Sequence, residues 1–319
     1  MKIKLIEPLS ISEDLLEQYR QKLEDQGHEF VSYKDKASSE EEFLERSKDA
    51  EILMIANTKL PDSVIEKSEK LKLINVAFTG FDHVNVELAK EKGIKVSNAS
   101  GYSNTSVSEL VIGMVLNIYR KLSTGDTMTR QGKTHADYYK GLEIKDKTVA
   151  IIGTGNIGLE TAKLFKAFGA NLIAYSRHED QEALKLGVKY LPLEDVFKKA
   201  DIISVHLALN KHTEGFVNRD LLSLMKKDAI LINCSRGPIV DNQALADLLN
   251  EEKIAYAGID VFDMEPPLAP DYPLLNSKNT LLSPHIAYLT DEAMVRRAAI
   301  AFDNTMSFAR GIEKNIVNN

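Results

Sequence analysis

The sequence predicts an α/β protein of two doubly wound parallel-sheet domains, one inserted into the chain of the other. Three observations predict it. The chain has 319 residues, more than one ordinary domain holds. Short apolar runs alternate with charged amphipathic stretches in two separate series, which is the pattern of parallel strands joined by crossover helices. A long apolar segment with helical spacing divides the two series.

The first series runs from Lys2 to Val96: IKLI, ISEDLLEQYRQKLEDQG, EEFLERSKDA, EILMIA, PDSVIEKSEK, LKLINVAF, VNVELAKEKG and IKVSN. The dividing segment, Thr105 to Leu122, places Val107, Leu110, Val111, Met114, Val115 and Ile118 at helical spacing, so it reads as a buried or interface helix. The second and better formed series starts at Thr148 with TVAIIG and a helix to Phe168. It continues through NLIAYS, LEDVFKKA, DIISVHL, NRDLLSLM, AILINCS, DNQALADLLNEE, IAYAGIDVF and NTLLSPH. A last helix, about Asp291 to Arg310, lies beyond the second sheet and is expected to return to the first domain, although periodicity equally allows it to close the second. The expected division is therefore 1–99 and 288–319 around an inserted domain of 100–287.

Composition narrows the function classes. Hydrophobic residues make up 44% and charged residues 27%, with no low-complexity tract, so the whole chain should fold. The formal net charge of -7 and the lack of a basic cluster threaded with aromatics argue against nucleic acid as a partner. No apolar run approaches the roughly 18 residues of a membrane span, and nothing targets the chain away from the cytoplasm. Cys234 is the only cysteine, which excludes an intrachain disulfide and cysteine-pair metal sites; no metal is expected.

TVAIIGTGNIGLETAKLFKAFG sets Gly153, Gly155 and Gly158 directly after an apolar strand and at the start of an amphipathic helix. That context marks a Rossmann dinucleotide site: Gly153 allows the tight turn, Gly155 lets backbone approach a pyrophosphate, and Gly158 allows close packing of helix on strand. Asn156 and Ile157 supply exposed amides at the helix N-terminus. The cofactor domain is thus the inserted one, and the first domain is the substrate side. An acid that holds both ribose hydroxyls of NAD is expected at the end of the next strand, NLIAYSR, but Ser176 stands there, followed by Arg177 and His178. Without that carboxylate a 2'-phosphate is not repelled, and an arginine fork can grip it, so NADP is the preferred cofactor. NAD stays acceptable if Glu179 or Asp180 reaches the ribose.

Three further segments each follow a strand of the second series: Asn233 to Pro238, Gly258 to Pro267, and Ser283 to Ala287. Arg236, Glu265 and His285 at these strand ends would suit reduction of an oxo acid, with a cation for the carboxylate, an acid for the carbonyl oxygen and a carboxylate to tune that acid. Taken singly they read equally well as a surface ion-pair residue, a turn residue and a loop histidine.

Together with the glycine loop and the stretch NVAFTGFDHVN, these segments resemble the D-isomer-specific 2-hydroxyacid dehydrogenases, in the right order over essentially the whole chain. The resemblance implies a Rossmann cofactor domain inserted in a flavodoxin-like substrate domain. It implies NAD(P)H-dependent reduction of a small 2-oxo acid to a D-2-hydroxy acid, and the reverse. Arg236 would bind the substrate carboxylate and polarise the carbonyl, His285 would donate the proton, and Glu265 would hydrogen-bond His285 and keep it protonated. His206, Leu207, Thr213, Cys234, Ser235, Asp260 and Ala287 would join the glycine loop around the cofactor, Cys234 in a packing role. Phe78, Thr79 and Gly80, in the loop from Ala77 to Gly80, would help dock the carboxylate and so place the substrate between the two lobes.

The resemblance also implies a homodimer with an intertwined helix, built from Thr105 to Leu122 and the segment to Gly141; an intradomain helix is the alternative. Two positions depart from the family pattern: Ala208 where proline is usual, and Ser176 where the acid is usual. Tyr102, Phe78, Phe81 and Tyr288 would suit an aliphatic or aromatic substrate group, or could be core or dimer contacts. The competing expectation is a dinucleotide-sensing binding module of the corepressor type, which shares the fold. Relatives that oxidise formate or phosphite are a third possibility.

Overall fold

The computed structural model describes residues 1–264 and 267–319, with the backbone alone at residues 137 and 138. The chain forms two compact units, Met1–Ser103 with Leu289–Asn319, and Asn104–Tyr288.

The first unit holds strands β1 (Lys2–Leu5), β2 (Glu29–Ser32), β3 (Ile52–Ile55), β4 (Leu73–Val76) and β5 (Lys95–Asn98). They form one parallel sheet in the order β2-β1-β3-β4-β5. β3 and β4 are buried at every position, which is why ILMI and LINV, Asn75 apart, are apolar rather than alternating. Ser12, Ser39 and Asn85 each accept a backbone amide at the start of a crossover helix and so end the preceding loop.

The helix Asp291–Ala309 belongs to this unit. Its Phe302 is fully buried and stacks on Tyr19 at 4.1 Å, with Phe30 at 5.7 Å on another side. Asn75 of β4, also fully buried, donates to the carbonyl of Ala301 at 2.6 Å and to Thr305 Oγ1 at 2.8 Å, and accepts from Ser97 Oγ at 3.1 Å. The final residues cover the β5 edge. Ile316 bridges Ser97 in antiparallel sense, and the Asn318 side chain donates to the Ile94 carbonyl and accepts the Val96 amide, both at 2.8 Å, as a neighbouring strand would.

The second unit holds β6 (Thr148–Ile152), β7 (Asn171–Tyr175), β8 (Lys189–Tyr190), β9 (Ile202–Val205), β10 (Ile230–Asn233), β11 (Tyr256–Ile259) and β12 (Thr280–Leu282). The sheet is parallel in the order β12-β11-β10-β9-β6-β7-β8. The chain winds outward from β6 to β8, then returns beside β6 and winds the other way from β9 to β12. The reversal lies between β6 and β9, and ligands of open α/β sheets gather at the strand C-termini beside such a switch.

Apolar clusters cover both faces of this sheet. On one, Val111, Met114 and Val115 of the helix Asn104–Arg120 join Val149, Ile151, Phe165 and Ile232. On the other, Phe197, Leu222, Leu245 and Leu249 join Ile152, Ile203 and Leu231. The Asn104–Arg120 helix therefore packs within its own unit. The helix that follows, Leu122–Arg130, buries no side chain, and Leu122 is 58% exposed. Among the described residues no helix is long and apolar enough to cross a membrane.

Phe302→Ala should cost about 3–5 kcal/mol, the usual effect of emptying a buried aromatic site. Denaturant unfolding would check it, and a loss under about 1 kcal/mol would contradict the docking of this helix in the first unit's core.

Candidate active site

The glycine loop follows β6. Gly153 has φ +96°, and a Cβ there would lie 2.8 Å from the His206 carbonyl oxygen. A Cβ at Gly158 would lie 2.0 Å from the Gly153 carbonyl oxygen, so the helix Asn156–Ala167 can start against the loop only with glycine at that place. Gly155 differs: a Cβ there would meet nothing within 4 Å, and no side chain caps the helix it precedes. Uncapped amides, with Gly155 and Asn156 exposed and Ile157 half-buried, thus face open space, which fits the pyrophosphate of a dinucleotide.

At the end of β7, Ser176 is half-buried and Arg177, His178 and Glu179 are exposed. The Asp180 carboxylate caps the helix Gln181–Leu186, accepting the Ala183 amide at 2.9 Å. Of the two acids that could serve the ribose hydroxyls of NAD, one is therefore engaged elsewhere.

After β9, His206 Nε2 pairs with Ser204 Oγ at 2.8 Å. Burial pushes its pKa down from 6.5 to about 4, so the ring is neutral near pH 7. Thr213 Oγ1 donates to the Ala208 carbonyl at 2.6 Å and accepts the Asn210 amide at 2.9 Å, which ties the loop beyond Leu207. Ala208, where proline is usual, stands within this tied turn.

The loops carrying Arg236 and His285 end strands β10 and β12, the two neighbours of β11. At β10, fully buried Asn233 holds the turn. Its Oδ1 accepts the Ser235 amide at 3.0 Å and the Ser235 hydroxyl at 2.7 Å, and its Nδ2 donates to the Arg236 carbonyl at 3.0 Å. Arg236 Nη1 also donates to the Ser235 carbonyl at 2.9 Å. Gly237 lets this turn press against the chain leaving β11, since a Cβ there would lie 1.9 Å from the Phe262 carbonyl carbon. Cys234 sits 3.8 Å from Met114 Sδ, and burial pushes its thiol pKa up, which keeps it unreactive.

At the end of β11, Asp260 is fully buried and gives both carboxylate oxygens to the loop after β12. Oδ1 accepts from Ser283 Oγ at 2.5 Å and from the Ile286 amide at 2.9 Å; Oδ2 accepts the Ala287 amide at 2.8 Å. The Asp260 carbonyl accepts the His285 amide at 2.8 Å. His285 is held at φ +54°, a left-handed conformation uncommon for a residue with a side chain, and its ring meets Tyr288 edge-on at 5.4 Å. The sequence assigned Asp260 to the cofactor and missed its work on this loop, as it missed Asn233. Glu265 lies outside the described residues.

In the first unit, the loop after β4 carries Phe78, Thr79 and Gly80. The Thr79 carbonyl accepts Asn98 Nδ2 at 2.7 Å, and the Phe78 carbonyl accepts the Ala99 amide at 2.9 Å. Phe78 and Tyr102 are 6% and 1% exposed and meet at 5.8 Å, with the Arg297 guanidinium 5.0 Å from the Phe78 ring. Of the four aromatics weighed as substrate contacts, these two are packing residues, while Phe81 and Tyr288 stay half-buried.

Comparison with known proteins gives a consistent picture. The profile described as D-isomer specific 2-hydroxyacid dehydrogenase, NAD binding domain, matches residues 112–287. A D-3-phosphoglycerate dehydrogenase of Methanocaldococcus jannaschii is 39% identical over 88% of this chain, and the match spans 54% of that relative's length. A hydroxypyruvate reductase of Blautia hydrogenotrophica is 35% identical over 87% of this chain and 88% of its own. Among solved structures, an acyclic imino acid reductase in complex with NADPH and D-Arg superposes with a TM-score of 0.90 at 29% identity, covering 99% of this chain and 100% of that one.

Asp260→Asn would replace one carboxylate oxygen by an NH2 donor, which cannot accept the hydrogens that converge there. The Ile286 and Ala287 amides should then exchange with solvent about tenfold faster or more. Unchanged protection in hydrogen exchange would contradict the role given to Asp260.

His206 gives a pH dependence of defined sign. Its folded pKa of about 4 lies below the ordinary 6.5, so the unfolded chain binds the proton first as pH falls. The stability it contributes is complete above about pH 6.5 and is lost as pH falls toward about 4. Melting temperatures of His206→Gln should fall less steeply than wild type between about pH 6.5 and about pH 5; equal slopes would contradict the shift.

Proposed function

The chain belongs to the D-isomer specific 2-hydroxyacid dehydrogenases, and from that premise we propose that it reduces a small 2-oxo acid to a D-2-hydroxy acid, preferring NADPH to NADH. The observation that carries the reading is the placement of Arg236 and His285 on the loops of β10 and β12, both braced from the ends of β10 and β11 and set in the same sheet as the glycine loop.

In this reading the Arg236 guanidinium receives the substrate carboxylate as a two-pronged donor. His285, protonated, hydrogen-bonds the carbonyl oxygen, stabilises the negative charge that grows there, and passes its proton to the alkoxide. Glu265 keeps that imidazole charged and oriented. The bound dinucleotide supplies a hydride to the carbonyl carbon. Gly153, Gly155, Asn156, Ile157 and Gly158 would hold its pyrophosphate, Ser176 and Arg177 its 2'-phosphate, and His206, Leu207, Thr213, Ser235, Asp260 and Ala287 would border it, with Cys234 packed behind.

The exposed helix Leu122–Arg130, with no buried side chain, supports a homodimer in which a second copy covers it. The cytoplasm is the proposed location.

His285→Ala should lower kcat by about 10²- to 10⁴-fold while NADPH binding changes little. Arg236→Ala should act mainly on KM for the oxo acid. Full turnover in the first variant, or an unchanged KM in the second, would remove that residue from its role. Initial rates with NADPH and NADH against glyoxylate, hydroxypyruvate, pyruvate, 2-oxoisocaproate and phenylpyruvate test the reaction class. A higher kcat/KM with NADH would contradict the cofactor preference.

A further inference from the structure

We propose that Tyr190 is a positioning residue that selects the 2'-phosphate of the cofactor by locking the loop Ser176 to Glu179 to the glycine loop. Tyr190 ends β8, a two-residue edge strand paired with β7 at Ala174. Its hydroxyl accepts the Asp180 amide at 2.9 Å and donates to Thr154 Oγ1 at 2.8 Å. Thr154 lies between Gly153 and Gly155 and is 5% exposed. One oxygen therefore joins the pyrophosphate loop to the far end of the ribose loop.

The near end is tied as well, because the Gly153 amide donates to the Tyr175 carbonyl at 2.8 Å. Ser176, Arg177, His178 and Glu179 are left as a short span between two clamps on the same loop. At the second clamp both the amide and the carboxylate of Asp180 are engaged, the latter by the Ala183 amide at 2.9 Å. Held so, Asp180 does not turn toward the ribose, where its charge would repel a 2'-phosphate and favour two free hydroxyls. The exposed Arg177 stays within the fixed span. Losing the hydroxyl releases the Asp180 amide, one of the two bonds that fix this residue, and slackens the span, so the cost should fall on the phosphorylated ribose and spare the unphosphorylated one.

The inference rests on the dinucleotide reading above, and its test uses binding rather than turnover. Full-length wild type and Tyr190→Phe are titrated with 2',5'-ADP, 5'-AMP, NADPH and NADH by calorimetry. Tyr190→Phe, which removes both bonds of that hydroxyl, should bind 2',5'-ADP and NADPH at least about fivefold more weakly, with 5'-AMP and NADH within about twofold of wild type. Thr154→Val removes one of the two bonds of the Tyr190 hydroxyl and should shift the four ligands in the same sense, and the double variant should lose no more than Tyr190→Phe alone. Equal weakening of all four ligands would reduce Tyr190 to a general stiffener of the glycine loop and overturn the proposal, as would an unchanged ratio. A wild type that binds none of the four would overturn the dinucleotide reading itself, a different result from wild-type binding with an unmoved ratio.

Discussion

A buried carboxylate at the end of β11 holds the backbone of the loop after β12, and the conformation of His285 depends on it. Asp260 has no exposure to solvent, and a hydroxyl and two amides of that loop converge on its carboxylate. The same bonds hold His285 in a left-handed conformation that its own backbone would rarely choose. First unit and second unit use this device alike. Glu7, 2% exposed just beyond β1, accepts the Ala56 amide at 2.6 Å and the Thr58 hydroxyl at 2.6 Å, and so holds the loop after β3.

Close backbone approach is the second constraint. At Gly153, Gly158 and Gly237 an added Cβ would fall 2.8, 2.0 and 1.9 Å from another backbone atom. The first sets the glycine loop against the chain that leaves β9, and the second seats the helix Asn156–Ala167 on that loop. The third sets the Arg236 turn against the chain that leaves β11. Gly155, by contrast, has open space before it, as the proposed pyrophosphate contact requires.

The architecture was legible in the sequence because buried parallel strands read as apolar runs and crossover helices as charged amphipathic stretches, and the glycine loop stood in register with both. Arg236 and His285 could be placed at strand ends for the same reason. Asp260, Asn233 and Tyr190 were not legible in their holding roles. Tyr190 and Thr154 lie 36 residues apart and Asp260 and Ala287 lie 27 apart, and a hydrogen bond between distant polar side chains leaves no periodic trace. β8 has two residues, too few for any pattern. Phe78 and Tyr102 read as cleft aromatics or as core, and only their burial against each other and Arg297 decided between the two.

In the proposed reaction the strand ends of this sheet direct hydride to the carbonyl carbon of a 2-oxo acid and a proton to its oxygen. Incubating the protein with NADPH deuterated at the transferable C4 position and 2-oxoisocaproate, followed by chiral separation and mass spectrometry, tests it most directly. The expected product is a single D-2-hydroxy acid with one deuterium at C2. Product of L or mixed configuration, or product without deuterium, would contradict it.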